Sequence, residues 1–295
     1  MGKRRKPRGR YDSERTRANM KEITATGGRT ANPRFRRIER HNTLVKDLRR
    51  AFSRGQLSSD GYCAIEGFRI LEEAVRSGLR FRAVFFSESA AVRAENLLSQ
   101  LGDQVETLLL PDKLFASAVP SDAPQGVAAL ARWRKFSLED VLAKSKVGPL
   151  LAIAGVQDPG NLGTILRSAE AFGAAGVVLG EGTVSPFNPK VVRASAGSVF
   201  RLPVARAKLS GALGLMKEQS LRRVATASHK GTPLAQANLS GPLAIFVGSE
   251  GAGLSRDLIK EMDEIVAIPQ APQVESLNVG VATSIVLYEV MRQRQ

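Results

Sequence analysis

Five short runs in the second half of the chain constrain its fold more than any other feature: LLAIAGV (150–156), AGVVL (175–179), RVATAS (223–228), LAIFV (243–247) and EIVAI (264–268). Each is largely apolar, and segments of helical periodicity at 164–172, 189–198, 208–220, 255–262 and 279–294 lie between or after them. Apolar strands alternating with helices predict an α/β fold with a mostly parallel sheet covered on both faces.

A smaller alternation precedes it. GYCAIE (61–66), FRAVFFS (81–87), QVETLLL (104–110) and GVAALAR (126–132) read as strands, and 68–77, 90–101 and 112–118 as helices. From Ile38 the apolar period is helical, with Leu44, Leu48 and Phe52 on one stripe. Residues 37–132 are therefore expected to form a small α/β domain, 133–149 a linker closing on Gly148-Pro149, and 150–295 a second α/β domain. Phe81, Phe85 and Phe86 are expected in the core of the first.

Charge separates a further segment. Residues 1–56 hold 18 basic and 5 acidic side chains, +13 of the chain's +15. Residues 1–36 contain almost no Leu, Ile or Val, so burial cannot offset the entropy of ordering them, and they read as a disordered arm suited to the phosphates of a nucleic acid. One cysteine, Cys63, excludes a disulfide framework, and with only His41 and His229 beside it no Cys/His metal site is expected. No run approaches the roughly 18 apolar residues of a membrane span, and no apolar signal segment follows the basic N-terminus, so a cytoplasmic protein is expected.

Open parallel sheets bind ligands beyond the carboxyl ends of their strands. Three loops there are rich in Gly, Asn, Pro or Ser. The first, Asp158-Pro159-Gly160-Asn161-Leu162-Gly163, runs into a helix with Arg167 near its start and off its apolar stripe. The second is Gly248-Ser249-Glu250-Gly251-Ala252-Gly253-Leu254. The third, Pro269 to Asn278, ends in Glu275-Ser276-Leu277-Asn278. Taken singly, Asn161 reads as a turn residue, Arg167 and Glu250 as solvated charges, and Ser276 or Asn278 as a helix cap. Together the loops point to a nucleotide-like ligand, because glycines let backbone amides approach it and helix starts favour negative charge. The phosphate-loop and dinucleotide patterns are missing, as is the G-x-S-x-G turn of hydrolases.

At these loops the chain resembles the SpoU/TrmH family of RNA ribose 2′-O-methyltransferases, within the SPOUT superfamily. The matching residues are Asn161-Leu162-Gly163 with Arg167 and Phe172-Gly173, then Gly248-x-Glu250-Gly251-x-Gly253-Leu254, then Ile268-Pro269 with Glu275-Ser276-Leu277-Asn278-Val279. Glu66-Gly67 and Pro124-Gln125-Gly126 resemble the family's N-terminal substrate-binding module. The resemblance implies a deep trefoil knot formed by the second and third motifs, with S-adenosylmethionine in its crevice against Gly248, Ile268 and Leu277. It implies catalytic roles for Arg167, Asn161, Glu250, Ser276 and Asn278 and no metal. Many members carry Met where this chain has Gln270. The implied substrate is structured RNA, most directly ribosomal RNA of the 23S type, and the implied assembly is a homodimer whose subunits complete each other's site. Transfer RNA as substrate, or a non-catalytic RNA-binding or ribosome-assembly protein keeping the fold, are the alternatives.

Overall fold

In a computed structural model, which describes residues 34–39, 42–102, 104–121 and 123–295, the chain builds two sheets. The basic arm up to residue 33 lies outside the described residues, as does His41.

The first sheet comprises β1 (Arg36–Arg37), β2 (Tyr62–Glu66), β3 (Phe81–Ser87), β4 (Glu106–Leu110) and β5 (Val127–Arg132) in the order β1-β4-β3-β5-β2. The strands β1, β4 and β3 run parallel, and β5 is antiparallel to both its neighbours. Helices α1 (Thr43–Arg54), α2 (Phe68–Arg76), α3 (Glu95–Leu98) and α4 (Asp112–Ala118) connect them. The stripe of Leu44, Leu48 and Phe52 packs on Phe85, Leu108 and Leu130. Phe85 and Phe86 are fully buried, as a core role requires, whereas Phe81 at the start of β3 is only half-buried.

Three expectations need correction here. Ile38 is not helical: its N–H bonds the carbonyl of Leu109, continuing β1, and the helix starts only where the Asn42 side chain accepts from the Leu44 N–H at 2.8 Å. Residue 36, expected in the arm, thus already pairs in the sheet. The helix expected over 90–101 is a 3₁₀ turn at Ala91–Arg93 followed by the single turn of α3.

After α5 (Leu138–Leu142) comes the second sheet: β6 (Leu150–Ile153), β7 (Gly176–Leu179), β8 (Val204–Arg206), β9 (Arg222–Ala227), β10 (Thr232–Pro233), β11 (Leu243–Val247) and β12 (Glu264–Ala267). Every pairing is parallel, in the order β10-β12-β9-β11-β6-β7-β8. Its helices are α6 (Pro159–Ala171), α7 (Pro189–Ala194), α8 (Ser198–Arg201), α9 (Leu209–Glu218), α10 (Arg256–Lys260) and α11 (Val279–Gln293). The single helix expected at 189–198 breaks, because Ala196 and Gly197 both adopt positive φ. A Cβ on Gly197 would lie 2.7 Å from Cβ of Glu73, so the close approach of α2 reserves that position for glycine.

The last elements cross the sheet. Strand β12 lies beyond β9, whereas α11 returns to pack on α6, with the Ser284 and Ser168 hydroxyls 2.6 Å apart. The segment 268–278 must therefore traverse the ends of β9 and β11.

Residues 36–295 pack as one unit. The expected linker is pinned where it begins, since Trp133 is buried edge-on against Phe187 and Phe200 at 4.7 and 5.9 Å between ring centroids. Ion pairs also join the two sheets' surroundings. Arg193 donates to the buried Glu66 carboxylate at 2.9 Å, and Arg201 bridges Glu73 and Glu170. Burial pushes the Glu66 carboxyl up, while the Gln125 N–H and Arg193 oppose that rise.

Candidate active site

The three loops meet at the carboxyl ends of β6, β11 and β12. The first is not a loop throughout. Asp158 caps α6, its Oδ1 accepting from the Asn161 N–H at 2.7 Å, and Pro159 opens the helix, so Asn161 and Gly163 lie in its first turns. Arg167 consequently sits well into the helix rather than near its start. Gly163 is required by packing, because a Cβ there would overlap Ala194 of α7.

The second loop folds onto itself. Ser249 and Gly253 exchange backbone hydrogen bonds at 3.3 and 3.0 Å, and Gly253 has φ +64°. A Cβ on the buried Gly248 would overlap the backbone of Gly253 and Leu254. The turn therefore exists only with glycine at its base, and it holds Glu250 out at its tip.

One chain of hydrogen bonds joins all three motifs. Asn161 donates from Nδ2 to Glu250 Oε1 at 2.5 Å and accepts at Oδ1 from Asn278 Nδ2 at 2.9 Å. Asn278 Oδ1 in turn accepts from the N–H groups of Gly280 and Val281, capping α11. Because the Glu250 carboxylate only accepts when ionised and Asn278 Oδ1 is committed to the cap, both amide orientations are fixed. Among the described residues, one N–H of each Asn161 and Asn278 amide is left for another partner.

Beside this chain opens a crevice of about 350 Å³. Gly248, Ile268 and Leu277 all line it, with Leu254, Val266 and Val279 adding apolar wall and Ser276 lying exposed on its border. A volume and lining of this kind suit a small molecule with an apolar body and few polar groups. Gln270 supplies one polar group there: its Nε2 donates to the Ser228 carbonyl at 3.1 Å, and its buried Oε1 finds no donor. Arg167 is exposed and makes no hydrogen bond or ion pair with the described residues, the Asn161–Glu250–Asn278 group included. Cys63 is no nucleophile for this site, being buried in the first sheet with its thiol pushed up to about 12 by desolvation.

Two contributions lie outside the expected site residues. Asp158 aligns Asn161, and its signal was the Asp-Pro cap itself. Thr226, Ala227 and Ser228 at the end of β9 form a wall of the crevice, although no glycine-rich motif marks them. Only the rule that ligands sit beyond parallel strand ends could have found that wall.

Residues 149–288 match the SpoU rRNA Methylase family and residues 42–129 match the MRM3-like substrate binding domain. The chain is 32% identical to the 23S rRNA (guanosine(2553)-2′-O)-methyltransferase RlmP of Bacillus subtilis, over 84% of this chain and 96% of that protein. It is 33% identical to the 23S rRNA (guanosine-2′-O-)-methyltransferase RlmB of Pseudomonas putida, over 73% and 90%. Its fold is similar to that of the AdoMet-bound rRNA methyltransferase from Sinorhizobium meliloti, with a TM-score of 0.75, 28% identity and coverage of 88% and 98%. With the three motifs joined at one crevice and relatives matching along most of its length, the chain belongs to the SpoU rRNA methylase family.

Proposed function

We infer that this protein transfers the methyl group of S-adenosylmethionine to a ribose 2′-hydroxyl of structured RNA, with 23S-type ribosomal RNA as the substrate. The observation that carries the reading is the Glu250–Asn161–Asn278 hydrogen-bond chain beside an apolar crevice. When bound, S-adenosylmethionine supplies a sulfonium methyl open to in-line attack by an oxygen. Gly248, Ile268 and Leu277 hold the cofactor, and the missing side chain at 248 lets backbone groups approach it. Glu250 fixes Asn161, and the uncommitted amide hydrogens of Asn161 and Asn278 orient the incoming ribose, with Ser276 setting the third loop. Arg167 stabilises negative charge growing on the 2′-oxygen. A phosphate or water takes the hydroxyl proton.

Residues 36–132 serve as the RNA-binding domain in this scheme, 133–149 as the joint and 150–295 as the catalytic domain, with the basic arm ahead of β1 gripping phosphates. Arg82 and Arg132 both lie over the Tyr62 ring, at 6.0 and 5.7 Å, with Arg82 also ion-paired to Asp47 and Asp60. Among the described residues no helix is long and apolar enough to cross a membrane, which accords with action on RNA in the cytoplasm. The traverse of 268–278 across the strand ends supports a C-terminal segment threaded as a trefoil knot. Comparing 2′-O-methyl sites in ribosomal and transfer RNA from cells with and without the protein tests the function. One ribosomal site should disappear; loss of a transfer RNA site alone would move the substrate, and no loss would overturn the enzyme.

A homodimer is the proposed assembly. Val281, Ile285 and Tyr288 form an apolar stripe on α11 that is 47%, 37% and 50% exposed. A second copy covering the stripe would remove this area from water, and its residues would help complete the site. The double variant Ile285→Glu, Tyr288→Glu should sediment as a monomer at micromolar concentration and lose most of its turnover. A variant that stays dimeric would place the interface elsewhere.

A further inference from the structure

Among the described residues, the crevice holds a buried acceptor without a donor. Gln270 stands two residues after Ile268, where the third motif leaves β12. Its amide is pinned from one side only, by Nε2 donating to the Ser228 carbonyl at 3.1 Å. Flipping the amide would set two carbonyl oxygens face to face, so the orientation is determined. That leaves Oε1 buried, without a donor, in a crevice whose other walls include Leu254, Val266, Ile268 and Leu277. A buried acceptor among apolar groups is costly unless a ligand brings the missing donor.

We propose that Gln270 reads the adenine edge of the cofactor, its Oε1 accepting an N–H of the exocyclic amine. A glutamine amide matches this edge geometrically. It accepts from the amine while presenting an N–H to the adjacent ring nitrogen N7, the same two-point pairing by which glutamine recognises adenine in a DNA groove. The second Nε2 hydrogen, which the Ser228 carbonyl does not use, is available for N7. The apolar walls suit the faces of the ring, so orientation would otherwise depend on shape and backbone alone. Gln270 is thus a specificity-determining residue, deciding for an amine against a carbonyl at position 6 of the purine. This assignment rests on the S-adenosylmethionine reading above.

The test is calorimetric binding of two probes, S-adenosylhomocysteine and S-inosylhomocysteine, to the full-length protein and to Gln270→Met. In the inosine compound an oxygen acceptor replaces the amine and would face Oε1. The wild-type protein should prefer the adenosine compound by at least about tenfold, and Gln270→Met should bind it about tenfold more weakly. The inosine compound should bind the variant no worse than the wild type, so the preference collapses. Thermal unfolding of the unliganded variant should change little, which separates lost recognition from lost structure. If the variant keeps the wild-type preference, or if it weakens both probes equally, Gln270 does not read the purine and the proposal falls. If the wild-type protein binds neither probe, the cofactor reading itself fails first.

Discussion

Replacing Arg167 with alanine should lower methyl transfer by about 10²- to 10³-fold while leaving the affinity for S-adenosylhomocysteine unchanged. The expectation follows from where the side chain is and what it lacks. Arg167 is exposed on α6, makes no hydrogen bond or ion pair with the described residues, and does not line the crevice. Its removal should therefore change folding stability by no more than about 0.5 kcal/mol, as for other surface substitutions without partners. A charge without partners among the described residues is available to the substrate, and its value is largest in the transition state, when the 2′-oxygen carries growing negative charge. Arg167→Lys should recover only part of the rate, because an ammonium keeps the charge but loses the planar two-point contact to phosphate or ribose. Single-turnover kinetics on RNA, run beside a cofactor titration, check both halves. Near-normal turnover in Arg167→Ala would remove the residue from the mechanism.

Much of this site could be read from residues because its construction is local. Glycines at 163 and 248 stand where a Cβ would meet neighbouring chain, and Asn278 begins a helix that needs a cap, so each left a compositional trace. The helix α6 began earlier than its apolar stripe suggested, because an Asp-Pro start carries no apolar periodicity of its own. That shift moved Arg167 from the helix start into its body. Strands β8 and β10, with three and two residues, are too short for a period-two pattern to emerge; parallel partners in the sheet hold them in place. The break at Ala196-Gly197 depends on Glu73, more than a hundred residues away, and no local pattern contains it. The meeting of Asn161, Glu250 and Asn278 is likewise a property of the fold. The three motifs suggested one ligand, whereas the order in which the side chains bond was visible only once β6, β11 and β12 stood in one sheet, with β9 between the last two.

The same construction makes Gly248 the residue whose smallest change should do the most damage to cofactor binding. A methyl group at 248 would overlap the Gly253 carbonyl carbon and the Leu254 nitrogen. Both are backbone atoms, so no rotamer change relieves the clash, and the turn must open by breaking the Ser249–Gly253 pair. Opening it widens the crevice on the side walled by Leu254 and carries Glu250 away from Asn161, which then loses the partner that orients it. Overpacking of this kind costs about 1–3 kcal/mol, and the loop's displacement adds to it in the bound state. Gly248→Ala should therefore weaken S-adenosylhomocysteine binding by about a hundredfold, roughly 2.7 kcal/mol, with methyl transfer falling further because Glu250 moves as well. Gly251→Ala is the matched control three residues on: its Cβ would meet nothing within 4 Å, so affinity should stay within about twofold of wild type. Titrating both variants decides the point. Equal affinities in the two would mean that the turn tolerates a side chain at its base, and that the shape of the crevice does not depend on the absence of one at 248.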